Sequence, residues 1–179
     1  MRWGKPTNQS SHLYSSSSVQ PSLKLLFGFY YYAVLLPSKL MEYNSGAEEL
    51  TSFVKENLVS ELRKLPYCHV FFAKVKESGA PIAMGLCFQG FSSFACKPLL
   101  NIHDLIVVGA FRGKHVGRTF LNYISEYAKI ELDCCKVTLE VIEGNHIAQK
   151  TYTTAGFGPY TLSETTGRAM FWCRNLDNH

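Results

Sequence analysis

Arg112-Gly113-Lys114-His115-Val116-Gly117-Arg118 is the stretch whose residue types and spacing carry the plainest chemistry. It follows an apolar run at residues 99–108. It opens a segment with Val116, Phe120, Ile124 and Ala128 at helical spacing. In a strand–turn–helix order, the amides of the turn and of the first helical turn have no intrahelical partner. They converge on one point, the helix dipole adds to them, and glycines let a ligand come close to the backbone. Arg112, Lys114 and Arg118 bring cationic side chains to the same place. This is the chemistry of a pyrophosphate site. The same pattern also describes an ordinary glycine-containing turn ahead of a buried helix. No G-x-x-x-x-G-K-[ST] run is present, and no G-x-G-x-x-G follows the first strand, so P-loop and Rossmann readings have no support.

The elements that must position this turn are legible from periodicity and turn residues. Residues 1–22, with Ser15-Ser16-Ser17-Ser18, bury little apolar surface and are expected to be poorly ordered. Residues 23–179 then form the folded part. Residues 25–36 are an uncharged apolar run of twelve, shorter than the about 20 that a membrane span needs. Asn44-Ser45-Gly46 signals a turn before a helix, in which Leu50, Val54, Leu58 and Leu62 recur every fourth residue. Strands are expected at 69–76, 82–91, 99–108, 136–142, 157–162 and 168–174, with helices from Val116 to about Leu132 and from Asn145 to about Ala155. Gly156 stops the second of these helices. The order implies an α/β (α+β) fold, one mixed sheet flanked by helices.

Composition narrows the partners. Hydrophobic residues are 46% and charged residues 18%, a globular balance, and the net charge of +4 is spread without a basic run. No nucleic-acid partner and no membrane association are expected. None of the six cysteines forms a C-x-x-C pair, so no metal is expected. Cys87 and Cys96 lie in apolar runs and read as buried thiols. Cys134-Cys135 reads as a neighbouring pair at a strand entrance. Free thiols imply a reducing compartment, and a cytoplasmic location is expected.

Arg112-Gly113-Lys114-His115-Val116-Gly117 resembles the acetyl-CoA signature of the GNAT superfamily, Q/R-x-x-G-x-G/A. Asn145, Ala148, Tyr152 and Gly156-Phe157 resemble that family's later motif, in the right order and spacing. The resemblance covers about residues 45–176 and is similar to bacterial GNAT proteins and, more distantly, to polyamine acetyltransferases. It implies a single GNAT-type domain with a mixed, mostly antiparallel central sheet. It also implies acetyl transfer from acetyl-CoA, as cosubstrate, to a primary amine by direct attack in a ternary complex. Two departures stand out. His115 occupies the place of a glycine, where a side chain narrows the allowed backbone. The first 40 residues do not look like the family's opening strand, and an open sheet edge there favours a homodimer. Both departures also favour the alternative, a non-catalytic CoA-binding module on the same fold.

The resemblance assigns roles residue by residue. The turn Arg112, Gly113, Lys114, His115, Val116, Gly117 and Arg118 holds the pyrophosphate. The backbone of Leu105, Ile106 and Val107 lies along the pantetheine arm, and Asn145 bonds its amides. Tyr152 is the general acid for the leaving thiolate. His103, where polyamine acetyltransferases tend to carry a glutamate, is a candidate base, and its ordinary pKa suits that work. Glu140 is the alternative base. Asp104 points away from His103 on a regular strand and is a candidate for binding a cationic substrate. Phe91 and Phe94, with Tyr67 and Phe72, are candidates for an apolar substrate pocket, against the plainer reading of core aromatics.

Overall fold

Phe71, Phe72 and Ala73 in one strand, and Ile82 to Cys87 in the next, are buried without alternation. Runs buried on both faces belong in the middle of a covered sheet. The computed structural model describes residues 14–18, 51–161, 163, 165, 167–174 and 176. It places these runs at the centre of a five-stranded sheet in the order β1-β2-β3-β4-β5. The strands are β1 (Tyr14–Ser18), β2 (Cys68–Val75), β3 (Pro81–Ser92), β4 (Lys97–Val107) and β5 (Val137–Leu139). All neighbours are antiparallel except β4 and β5, which are parallel. The helices are α1 (Ser52–Leu62), α2 (Val116–Ile130) and α3 (His146–Thr154). The expected mixed, mostly antiparallel sheet with helices is therefore present.

Contacts divide the chain into two compact units, Met1–Leu139 and Glu140–His179. In the first, α2 turns Val116, Phe120, Leu121, Ile124 and Ala128 inward. Gly85 on β3 makes room for it. A Cβ there would stand 3.0 Å from Ile124 Cδ1 and 3.5 Å from Phe120 Cε1. Phe71, on the same sheet face, meets Tyr127 edge-on at 5.2 Å between ring centroids. Thr51 caps α1 by accepting the Val54 amide at 3.3 Å. The expected cap residues Ser45 and Gly46, together with the apolar run at 25–36, lie outside the described residues.

Several expectations are corrected. The serine-rich start contains β1, which pairs Tyr14 with Val75 through Ser18 with Phe71. A strand whose backbone finds a ladder partner needs no apolar side chains of its own. The edge of β2 that this start was expected to leave open is thus paired, which removes the argument for a dimer at that edge. Cys96 is exposed at a positive φ of 49° in the β3–β4 turn and not buried. β5 is short and ends at Leu139, so Glu140 lies just past the strand.

In the second unit, the two C-terminal strands expected from sequence reduce to one bridge between Thr161 and Arg168. The Ala169 amide also bonds the Tyr160 carbonyl at 2.9 Å. Phe171 and Trp172, both 81% exposed, lie outside any ladder. Apolar, β-prone residues form a strand only where a partner backbone is available. Among the described residues, no helix is long and apolar enough to cross a membrane.

Candidate active site

The glycine turn is where the sequence puts it, between β4 and α2. One 3-10 turn, Gly109–Phe111, leads from the strand. Gly113 follows at φ +71°, and His115 is left-handed at φ 61°, ψ 4°. A Cβ on Gly113 would meet nothing within 4 Å. His115 makes no side-chain cap to α2, and the helical ladder starts with the Thr119 amide on the His115 carbonyl at 3.0 Å. The amides of Val116, Gly117 and Arg118 come before that bond, where an α-helix leaves its donors unfilled. No acidic residue sits in the first turn of α2. Arg112 and Lys114 are exposed beside it, with the Arg112 Nε on the Val107 carbonyl at 3.0 Å and the Lys114 Nζ 5.6 Å over the Phe111 ring. Amides left open by the helix, a dipole end with no acid in its first turn and neighbouring cationic residues fit an anionic phosphate group.

His115 answers the departure noted in the sequence. It takes the left-handed conformation that a glycine would take, and histidine is among the side chains that visit this region. The shape of the turn is kept, with backbone strain of about 1 kcal/mol.

β4 outlasts its partner. Its last pair with β5 is Ile102 with Leu139, and His103 to Val107 run on beyond that point. The edge at Leu105, Ile106 and Val107 therefore carries backbone without a β5 ladder, and these three side chains are half-buried. An extended amide-bearing chain can pair with such an edge.

The feature the sequence reading missed lies in the same strand. β3 and β4 pair Leu86 with Asp104 and then Cys87 with Ile102, so His103 is an extra residue on β4. Such a bulge puts two consecutive side chains on one face. The face is identified by Gly85, whose open side meets α2 and whose partner is Leu105. Asp104 therefore faces away from α2. His103 does too, because its ring meets that of Phe88 edge-on at 5.4 Å and 69°. The expectation that Asp104 and His103 point to opposite faces assumed a regular strand, and it does not hold. No short sequence pattern announces a bulge of this kind.

Asp104 is half-buried, and its carboxyl is pushed above the ordinary range by burial, partly offset by nearby His103. A desolvated carboxylate holds its proton more strongly. His103 is exposed. Phe91 does not join them. It lies five residues along β3 from Leu86, about 17 Å at the rise of a strand, and alternation puts it on the other face. Phe94 sits in the β3–β4 turn, 94% exposed, and Phe72 is fully buried core.

In the second unit, α3 carries the later motif as one built piece. Asn145 is its N-cap, the side-chain oxygen accepting the Ala148 amide at 3.1 Å. At the other end the Phe157 amide bonds the Tyr152 carbonyl and the Gly156 amide bonds the Thr153 carbonyl, both at 3.0 Å. With Gly156 at φ 89°, this is a Schellman ending. The Phe157 ring packs on Tyr152 at 6.4 Å. The spacing from Tyr152 to Gly156-Phe157 is thus the spacing of a helix stop that also orients the phenol. Burial pushes the Tyr152 hydroxyl above its ordinary value, so it stays protonated at neutral pH. Glu140 is exposed at the start of this unit. Among the described residues there is no group of three side chains that could hold a metal.

No curated protein sequence matches the chain. Solved structures do match in fold. AAC(6')-Iy in complex with the bisubstrate analogue CoA-S-monomethyl-acetylneamine aligns at 15% identity and TM-score 0.62, over 90% of this chain and 98% of that one. Glucosamine-6-phosphate N-acetyltransferase from Arabidopsis thaliana aligns at 16% identity and TM-score 0.59, over 92% and 99%. A transcriptional regulator from Bacillus halodurans C-125 aligns at 15% identity and TM-score 0.63, over 89% and 99%. At these identities the likeness shows the fold alone. The model of the acetyltransferase (GNAT) family matches residues 35–157, a span that contains the turn at 112–118, the bulged strand and the helix of Tyr152. With that match, the chain belongs to the acetyltransferase (GNAT) family.

Proposed function

We infer that the protein transfers the acetyl group of acetyl-CoA to a primary amine, by direct attack in a ternary complex. The observation that carries this reading is the uncapped turn at residues 112–118, with its open glycine and no acid in the first turn of α2. In this reading the pyrophosphate of the donor takes the amides of 113–118, with Arg112, Lys114 and Arg118 around it. The pantetheine arm runs along the β4 edge at Leu105, Ile106 and Val107, whose amides polarise the thioester carbonyl. Asn145 keeps its oxygen for its helix and offers its side-chain nitrogen to the arm.

The attacking amine must be neutral. An incoming ammonium gives one proton to the Asp104 carboxylate, whose raised proton affinity suits that step. The nitrogen then attacks the thioester carbon; a C–N bond forms and the C–S bond breaks. Tyr152 gives its proton to the thiolate, and the second nitrogen proton goes to His103 and from there to solvent. Asp104 then releases its proton to solvent and Tyr152 takes one back, so one proton is released per turnover. Glu140 is the alternative to His103 as acceptor of the second nitrogen proton.

Calorimetric titration with acetyl-CoA tests the donor site. Micromolar binding, with a clear loss for ADP, is the expected result. No binding at millimolar donor overturns the reading. Tyr152→Phe is expected to lower turnover at least ten-fold with donor affinity retained; unchanged turnover removes Tyr152 as the acid. The alternative reading is a non-catalytic CoA-holding module on the same fold. Donor binding without thiol release for any amine would establish that alternative.

A further inference from the structure

We propose that the acceptor is a singly charged alkylamine that bears an aromatic ring, selected by the bulge that brings His103 and Asp104 to one sheet face. The proposal rests on the acetyl-transfer reading above and names the acceptor class for it.

Asp104 is the one acidic residue in the five strands. Among the described residues it has no hydrogen bond or ion pair. A half-buried carboxylate in that state gains most from a ligand that brings its own positive charge. One carboxylate matches one ammonium. A polyamine or an aminoglycoside brings several, and each further ammonium needs an acceptor that this sheet does not provide.

The surroundings of that carboxylate are aromatic. The His103 and Phe88 rings meet in a T-shaped contact at 5.4 Å, and Tyr67 meets Phe88 from the neighbouring strand entrance at 6.3 Å and 53°. Phe88 is half-buried, while His103 and Tyr67 are exposed. These rings therefore form a shelf with one side in the core and one side reachable. Cys68, paired with Phe88 across β2 and β3, lies at the same place, and its thiol is held neutral by burial. A flat aromatic substrate gains edge and face contacts on such a shelf that a flexible alkyl chain does not. Without the bulge, Asp104 and His103 would lie on opposite faces, so one inserted residue brings the imidazole beside the carboxylate.

The test is a steady-state panel at saturating acetyl-CoA with thiol-release detection. The probes are 2-phenylethylamine, n-hexylamine and spermidine. The expected result is a kcat/KM for 2-phenylethylamine at least ten-fold above both others. Phe88→Leu should bring the ratio of 2-phenylethylamine to n-hexylamine close to one. Asp104→Asn should raise the amine KM at least ten-fold, with acetyl-CoA affinity by calorimetry retained as the check that the variant is folded. Transfer with spermidine or n-hexylamine at equal or higher kcat/KM overturns the acceptor class and leaves acetyl transfer standing. A ratio unmoved by Phe88→Leu overturns the shelf. Absence of transfer to every probe, with donor binding intact, overturns the acceptor class.

Discussion

His115 holds a backbone conformation that most side chains avoid, in the turn proposed to hold the donor. Replacing it with glycine removes about 1 kcal/mol of strain. For a chain of this size, His115→Gly is expected to raise the melting temperature by about 2–4 °C. It should also tighten acetyl-CoA binding; a lowered melting temperature would show that the imidazole contributes more than the strain costs. Asp104 gives a second residue-scale prediction with a definite sign. Its folded pKa is raised by burial, so its contribution to stability is present below the ordinary carboxylate pKa and is lost as pH rises through the folded value. Asp104→Asn should therefore stabilise the protein at neutral pH while depressing turnover. The gain should disappear on acidification towards pH 3. Thermal melts across that range check it, and a constant gain at every pH would count against a charge-based cause. Neither residue's role could be fixed from the sequence. His115 looked like a defect until its φ was known, and Asp104 was placed by assuming strand regularity.

Two elements are positioned by very small features. α2 lies over Gly85, and a β-branched side chain there would overlap Ile124 Cδ1, the atom 3.0 Å from where even a Cβ would stand. Gly85→Val is expected to cost about 1–3 kcal/mol by overpacking. Adding Ile124→Ala should recover part of that, and a double-mutant cycle on denaturant melts reads the coupling. Simple additivity would mean that α2 does not rest on this glycine. α3 depends on its stop. Gly156 sits at φ 89°, and Gly156→Ala forces a Cβ into that conformation at about 1–2 kcal/mol. Because the same ending sets Tyr152 against Phe157, turnover is expected to fall along with stability. The helices and the three long strands were readable because their apolar periodicity and their glycine and proline stops are local. The short β5 and the unformed C-terminal strands were not, because strand length depends on what backbone lies alongside.

At the scale of the molecule, the proposed donor site would tie ligand binding to stability. The positive end of α2 has no acidic residue in its first turn, so an anion placed there gains from the helix dipole. Acetyl-CoA at a hundred times its Kd is expected to stabilise the fold by about 2.7 kcal/mol. Lys114→Ala should weaken that shift, and raising the salt from low to physiological strength should shrink it further. A shift indifferent to salt and to Lys114 would place the donor elsewhere.

The glycine turn, the helix that follows it, the Asn145–Phe157 motif and the layered sheet were determined by the sequence itself. Each rests on residues within a few positions of one another, where backbone preference and periodicity act directly. The pairing of β1, the early end of β5 and the bulge at His103 were decided only in three dimensions. Strand pairing and register depend on partners that lie 50 or more residues away for β1 and about 37 residues away for β5. One residue of slip in β4 turned two side chains expected on opposite faces into neighbours, and on that pair the proposed acceptor site rests.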